Sequence, residues 1–116
     1  ANCDLVGHSA VKEAIIKAVE TVDECSKKII DSGLEKDYTI ILTADHGSAE
    51  DKLYSDGKAK PAHSTNPVNF ILISNDKNLQ KIKLRKGEQQ DIAPTILEIM
   101  GIKEPKEMTG ESLIGR

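Results

Sequence analysis

The stretch Tyr38-Thr-Ile-Ile-Leu-Thr-Ala-Asp-His-Gly47 carries the fold class of this chain. Its first part, Tyr38 to Thr43, is rich in β-branched residues and reads as a strand. The run is nearly continuous in apolar residues rather than alternating. Such strands are covered on both faces, as in the middle of a parallel sheet flanked by helices. Asp45 and His46 follow at the carboxyl end of the strand, where open α/β sheets bind their ligands. Inside a strand the two side chains would point to opposite faces. Leaving the strand at Ala44, with Gly47 to permit a tight turn, lets them converge on one site.

Outward from this stretch, Ser9 to Ser32 predicts a long helix. Val11, Ala14, Ile15, Ala18, Val19, Val22, Cys25 and Ile29 recur at three- and four-residue steps and form one apolar stripe. Ser9 reads as its N-cap and Gly33 as its C′ residue, with Lys27 and Lys28 suited to the last turn. A second apolar strand is predicted over Val68 to Ser74, introduced by Asn66-Pro67. Asp91 to Met100 predicts another helix, with Asp91 as cap, Pro94 in the first turn and Gly101 closing it. Residues 75–90 and 103–116 are polar and read as loops. Two doubly covered strands cannot bury each other, and the 24 residues from Ala44 to Pro67 show no period. Both features point to part of a larger α/β sheet, so the chain is expected to be a fragment.

Composition narrows the function. The chain has 116 residues, a formal charge of −3, no Trp, one Phe and two Tyr, so its core must be aliphatic. A nucleic-acid binder would show a basic surplus and stacking aromatics, and neither is present. No apolar run approaches the ~18 residues that a membrane span needs. Cys3 and Cys25 lack a disulfide framework spacing, which suits a reducing cytoplasm.

All three histidines fall at element ends, and two of them have an aspartate next door or four residues away. Asp4-Leu-Val-Gly-His8 precedes the long helix, Asp45-His46 follows the first strand, and His63 precedes the second. Asp and His four residues apart can ligate together from one turn. Carboxylate and imidazole donors without thiolate suit Mn²⁺, Zn²⁺ or Fe²⁺. Cys3 beside Asp4 is the poorer ligand choice, and Cys25 on the stripe reads as a small core residue. Thr43 and Glu50 flank the Asp45-His46 pair as candidate supporting partners. The plainer alternatives are that Asp4 caps a helix, Asp45 forms a turn and His63 is solvated. No Ser or Thr stands in a nucleophile context. The only arginines, Arg85 and Arg116, lie in polar loops and form no phosphate-binding cluster.

Asn2-Cys-Asp-Leu-Val-Gly-His-Ser9 resembles the Asn-x-Asp-Met-Val-Gly-His-Thr-Gly motif of cofactor-independent (2,3-bisphosphoglycerate-independent) phosphoglycerate mutases. Thr43-Ala-Asp-His-Gly-Ser-Ala-Glu50, Ala62-His-Ser-Thr-Asn-Pro67, Asp91-Ile-Ala-Pro-Thr-Ile-Leu97 and Met108-Thr-Gly-Glu-Ser-Leu113 are similar to four further segments of that family, in family order. Leu5 replaces Met, Ala10 replaces Gly, and Ser48 replaces Asn. The resemblance implies the C-terminal portion of an alkaline-phosphatase-like three-layer α/β/α domain over residues 1–116. The N-terminal part and the inserted transferase domain would lie outside this chain. It also implies interconversion of 3-phosphoglycerate and 2-phosphoglycerate through a phosphoserine, with two Mn²⁺ (or Zn²⁺, Fe²⁺ or Mg²⁺) and no organic cofactor. Carried over by motif, Asp4, His8 and His63 would hold the first ion and Asp45 and His46 part of the second. The nucleophilic Ser and the substrate arginines would lie upstream, so no catalytic or substrate-binding residue is expected here and the fragment alone should be inactive. The intact enzyme is expected to be a cytoplasmic monomer acting on phosphoglycerate, without nucleic-acid or membrane partners, and the fragment to self-associate over its uncovered sheet. The competing readings are a phosphopentomutase or phosphodiesterase of the same superfamily, or a non-catalytic interaction module.

Overall fold

A short helix not expected from the pattern, α1 (Asn2–Gly7), precedes the long one, α2 (Lys12–Leu34), and packs against it. The break between them falls at Ala10, whose φ of 51° is left-handed. Ser9 accordingly closes α1 instead of capping α2. Its hydroxyl donates to the Val6 carbonyl at 2.6 Å and accepts from the Val11 amide at 3.3 Å. A side chain at left-handed φ costs roughly 1–2 kcal/mol that glycine does not. Part of that is offset by the extra chain entropy glycine loses on folding. Ala10→Gly is therefore expected to stabilise the chain by about 0.5–1 kcal/mol. A rise in the denaturant midpoint at unchanged slope checks this, and a fall refutes it.

The computed structural model describes residues 2–115 and comprises two compact units, Ala1–Asp76 and Lys77–Arg116. In the first unit the α2 stripe is only partly used. Ile15 and Ala18 are buried, whereas Val11, Val19, Val22 and Ile29 are exposed. Cys25, expected in the core, is exposed as well. Gly33 is the penultimate residue of α2 and not its C′ residue. Its role is close approach, since a Cβ there would sit 2.8 Å from Ile40 Cδ1. The left-handed residue at the helix exit is Asp37, with φ 57°.

The two strands are shorter than expected, β1 (Ile40–Leu42) and β2 (Ile71–Ile73). They pair antiparallel, with Ile40 opposite Ile73 and Leu42 opposite Ile71. This corrects the reading of both as inner strands of a parallel sheet. Leu42 and Ile71 are exposed and the rest half-buried, so their apolar faces are not covered on both sides.

The reason for the pairing is the connection, which is not structureless. Its arms bridge at Gly47–Ser64 and again at Leu53–Ala59, both antiparallel. The Tyr54 amide donates to the Lys58 carbonyl at 2.9 Å, and the tip turns at Gly57 with φ 80°. Residues 40–73 thus form one long irregular hairpin. Asp56-Gly57 was its signal in the sequence, since that dipeptide favours the tight turn. Lys60 Nζ, ion-paired to Asp51, ties the arms further.

In the second unit, α3 (Ile92–Ile99) follows a 3₁₀ turn at Gln89–Asp91, with Pro94 buried in its first turn and Gly101 (φ 67°) closing it. The tail beyond residue 103 is not loose. Leu84 and Ile114 bridge, the Arg85 amide donates to the Leu113 carbonyl at 2.8 Å, and Leu113 is buried. Arg85 spends its guanidinium on the carbonyls of Ser112, Lys86 and Glu111, which is a structural use and not a phosphate site. Among the described residues no helix is long and apolar enough to cross a membrane.

Candidate metal centre

Asp4 and His8 lie one turn apart at the end of α1, where the His8 amide donates to the Asp4 carbonyl at 3.2 Å. His8 Nδ1 is 2.8 Å from the Pro61 carbonyl, an atom that can only accept. The ring therefore carries its proton on Nδ1, and Nε2 is turned toward Asp4 Oδ1 at 3.5 Å. His46 repeats the arrangement from the other side. Its Nδ1 is 3.2 Å from the Gly47 carbonyl and its Nε2 is 3.7 Å from the same Asp4 oxygen. His63 supplies the third imidazole, with Nε2 2.9 Å from Asp4 Oδ1 and 3.3 Å from His8 Nε2.

Ring nitrogens with outward lone pairs, crowded on one carboxylate oxygen, repel one another unless a cation or extra protons sit among them. The donor set of Asp4, His8 and His63 fits a divalent ion. These atoms all lie within 4.8 Å of one another. Ligand distances of about 2.0–2.2 Å place neighbouring donors roughly 3.0–3.5 Å apart, close to the spacings seen here. All three residues are exposed enough to admit an ion and its remaining ligands.

His46 addresses a different point. Its ring stacks on His63 with centroids 3.6 Å apart and planes 13° apart. Stacked imidazoles hold their Nε2 lone pairs in separate, nearly parallel planes, so the two do not meet head-on at one ion. Asp45 sits beside His46, with Oδ1 3.8 Å from His46 Nε2 and accepting the His46 amide at 3.1 Å. Its side chain is 86% exposed, at the solvent edge of the group. The five expected residues are thus gathered in one region, the three histidines around Asp4 Oδ1 and Asp45 at the margin. Cys3 is half-buried and does not join the donor group.

Of the two expected supporting residues, Glu50 carries the network and Thr43 is exposed. The Glu50 carboxylate accepts the Ser64 hydroxyl, the Ser48 amide at 2.8 Å and the Asn66 side-chain amide at 3.2 Å. The Ser64 hydroxyl above all, then backbone amides and Asn66, hold its pKa at about 2. Gly47 makes room for this, because a Cβ there would collide with both Ser64 Oγ and the Glu50 carboxylate. Gly7 does the same for α1, where a Cβ would sit 2.9 Å from Ser48 Oγ. Lys52 Nζ donates to the Ala62 carbonyl at 3.2 Å and anchors the segment that carries His63. Reasoning from residue types missed Pro61, Ser64 and Asn66. Their signal was only their adjacency to His63 in the Pro61–Asn66 segment.

The sequence profile of the Metalloenzyme superfamily matches residues 1–104. The chain is 53% identical over 116 residues to a 2,3-bisphosphoglycerate-independent phosphoglycerate mutase of Clostridium botulinum (strain Langeland), covering 98% of this chain and 22% of that protein. It is 52% identical over 114 residues to the protein of the same name from Flavobacterium johnsoniae, with the same two coverages. A third, from Clostridium perfringens, is 49% identical over 117 residues, covering 100% of this chain and 23% of its own length. The chain therefore spans less than a quarter of the length of these curated relatives.

Proposed function

The chain belongs to the metalloenzyme superfamily, and from that premise we propose that it supplies metal-binding residues to a 2,3-bisphosphoglycerate-independent phosphoglycerate mutase. Superfamily membership carries a metal requirement and the α/β domain class expected from the strands. The proposal adds Mn²⁺ as the ion, phosphoglycerate as the substrate and cytoplasmic glycolysis as the setting. It also takes residues 1–116 as the C-terminal part of the phosphatase-like domain. The observation that carries it is the convergence of three imidazole Nε2 atoms on Asp4 Oδ1, at 2.9, 3.5 and 3.7 Å.

In this reading Asp4, His8 and His63 hold one ion, and Asp45 and His46 contribute to a second. Bound there, the ions supply positive charge to phosphate oxygens and activate a hydroxyl nucleophile contributed from elsewhere in the enzyme. This chain's residues do no proton chemistry. Pro61 and Gly47 keep the Nδ1 protons of His8 and His46 on the far side of each ring, so that Nε2 stays an acceptor. Asp4 supplies the compensating negative charge. Its oxygen faces both the His8–His63 pair and the stacked His46, so it couples the two halves of the centre.

The test is enzymatic. The purified 116-residue chain with Mn²⁺ is expected to show no conversion of 3-phosphoglycerate to 2-phosphoglycerate. The longer gene product that contains it is expected to convert it, and to lose that activity on His63→Ala. Turnover by the short chain, or none by the longer product, would overturn the reading.

A further inference from the structure

His46 and His63 come from opposite arms of the 40–73 hairpin, and each directly precedes a member of the Gly47–Ser64 bridge. Backbone pairing at this level is slight. The Ser64 amide donates to the Gly47 carbonyl at 2.9 Å, and the ladder of β1 and β2 begins only at Leu42 and Ile71. Beside that bond and the Lys52 contact to the Ala62 carbonyl, one carboxylate joins the arms next to the two rings. Glu50 stands on the first arm, four residues beyond His46, and holds the Ser48 amide of that arm with Oε2. Its Oε1 takes the Ser64 hydroxyl and the Asn66 amide of the second arm.

An exposed glutamate is ordinarily a solvated surface group, yet this one spends both oxygens on three donors from the two arms. Gly47, between His46 and the carboxylate, lacks the Cβ that would keep Ser64 and Glu50 apart. Glu50 is not in the donor group itself. Its contacts reach that group through where the arms stand.

We propose that Glu50 is a positioning residue of the metal centre: by strapping Ser48 to Ser64 and Asn66 it sets the separation of the His46 and His63 rings. This rests on the reading of Asp4, His8, His46 and His63 as ligands. With the strap in place the rings stack at 3.6 Å and their Nε2 atoms face Asp4 from adjacent points. Without it Ser64 and Asn66 lose their tie to the first arm, and the His63 ring is less firmly set against His46. A change one shell removed from a ligand ordinarily weakens metal affinity 10- to 100-fold.

The experiment uses the whole chain and two variants. Glu50→Gln keeps the shape but presents an N–H₂ where an acceptor is needed. Ser64→Ala removes the second-arm hydroxyl without touching charge. Calorimetric titration with Mn²⁺ gives affinity, and proton NMR of the metal-free chain gives the nuclear Overhauser effect between the His46 and His63 rings. In Glu50→Gln, Mn²⁺ affinity is expected to fall about tenfold or more and the ring-to-ring effect to vanish, while the α2 amide shifts stay in place. Ser64→Ala is expected to move both readouts the same way by less. Wild-type affinity and a wild-type ring-to-ring effect in both variants overturn the proposal. If the unmodified chain takes up no Mn²⁺, the ligand reading fails instead, and the metal-free ring-to-ring effect alone decides for or against Glu50.

Discussion

Asp4→Asn is expected to abolish Mn²⁺ binding by this chain, with a loss greater than the ~100-fold that changes beyond the ligands produce. The substitution is nearly isosteric and the Asp4 side chain is 49% exposed, so the fold has little reason to respond. The charge is another matter. Three imidazole nitrogens lie within 3.7 Å of a single carboxylate oxygen. Neutral imidazoles bring lone pairs but no charge, so Asp4 is the anion that the donor group holds closest to an incoming cation. An asparagine oxygen in the same place keeps one lone pair and loses the Coulombic part. Its N–H₂, in the other rotamer, would face the His8, His46 or His63 nitrogens as a donor. The asparagine chain should then be satisfied without an ion, which makes the empty state more stable as well as the bound state less so. Calorimetric titration of both proteins, with far-UV circular dichroism to confirm an unchanged fold, decides the matter. Asp45→Asn is the useful contrast. That carboxylate lies at the margin and should cost less. Equal losses from the two substitutions would show that Asp4 has no special place.

The candidate metal centre was legible because its donors are of rare types and stand at predicted element ends. Asp4-to-His8 spacing, the Asp45-His46 pair and His63 could each be found without any contact information. Their convergence could not. It depends on the 44–67 segment folding back on itself, and hairpin arms held by isolated bridges leave no period in the sequence. The Asp56-Gly57 turn was readable, but no alternating flanks drew attention to it. The same limit explains the strand error. An apolar run reports that a strand is coverable on both faces, not which neighbour it has, so β1 and β2 read as parallel although a hairpin makes them antiparallel. The α2 stripe was correct as a pattern and wrong as a core: only Ile15 and Ala18 are buried along it. Periodicity marks the face a helix could bury, and the depth of burial depends on what is there to meet it. Ala10 shows the opposite case. The departure from glycine looked mild in the sequence, and its left-handed φ makes it the strained position between α1 and α2.

Thr95→Val is expected to open the C-terminal strip of the second unit at Leu113, although no metal, ligand or charge is involved. Thr95 is fully buried. Its hydroxyl donates to the Asp91 carbonyl at 2.6 Å and accepts from the Leu113 amide at 2.8 Å. Valine fills the same volume, so packing changes little and the effect is confined to these two bonds. The Asp91 carbonyl keeps its helical opportunities, but the Leu113 amide is left in a dry interior without an acceptor. Such an orphan costs about 1–3 kcal/mol, more than the net worth of an ordinary hydrogen bond. The strip keeps its pairing with residues 83–85, through the Arg85 amide on the Leu113 carbonyl and the Gly115 amide on the Lys83 carbonyl, so the opening is local to the Leu113 amide. Asp91 accepts the Glu111 amide at 2.9 Å, and that bond, with the Glu88 amide and the nearby Arg85 guanidinium, holds its carboxyl below the usual range. Arg85 itself grips the Glu111 and Ser112 carbonyls. These contacts flank Leu113 and cannot replace its acceptor. Gly110 leaves no slack for adjustment, since even a Cβ there would strike the Gln90 carbonyl. A unit of about 40 residues has little stability to spare, so a loss of this size opens it locally instead of merely straining it. Hydrogen exchange should show the Leu113 amide losing protection by about 10- to 100-fold, at 1.4 kcal/mol per tenfold. Amides of α2 should keep theirs, and Thr95→Ser, which preserves the hydroxyl and gives up a methyl, should retain Leu113 protection. Unchanged protection at Leu113 in Thr95→Val would mean that the hydroxyl is not what holds the strip.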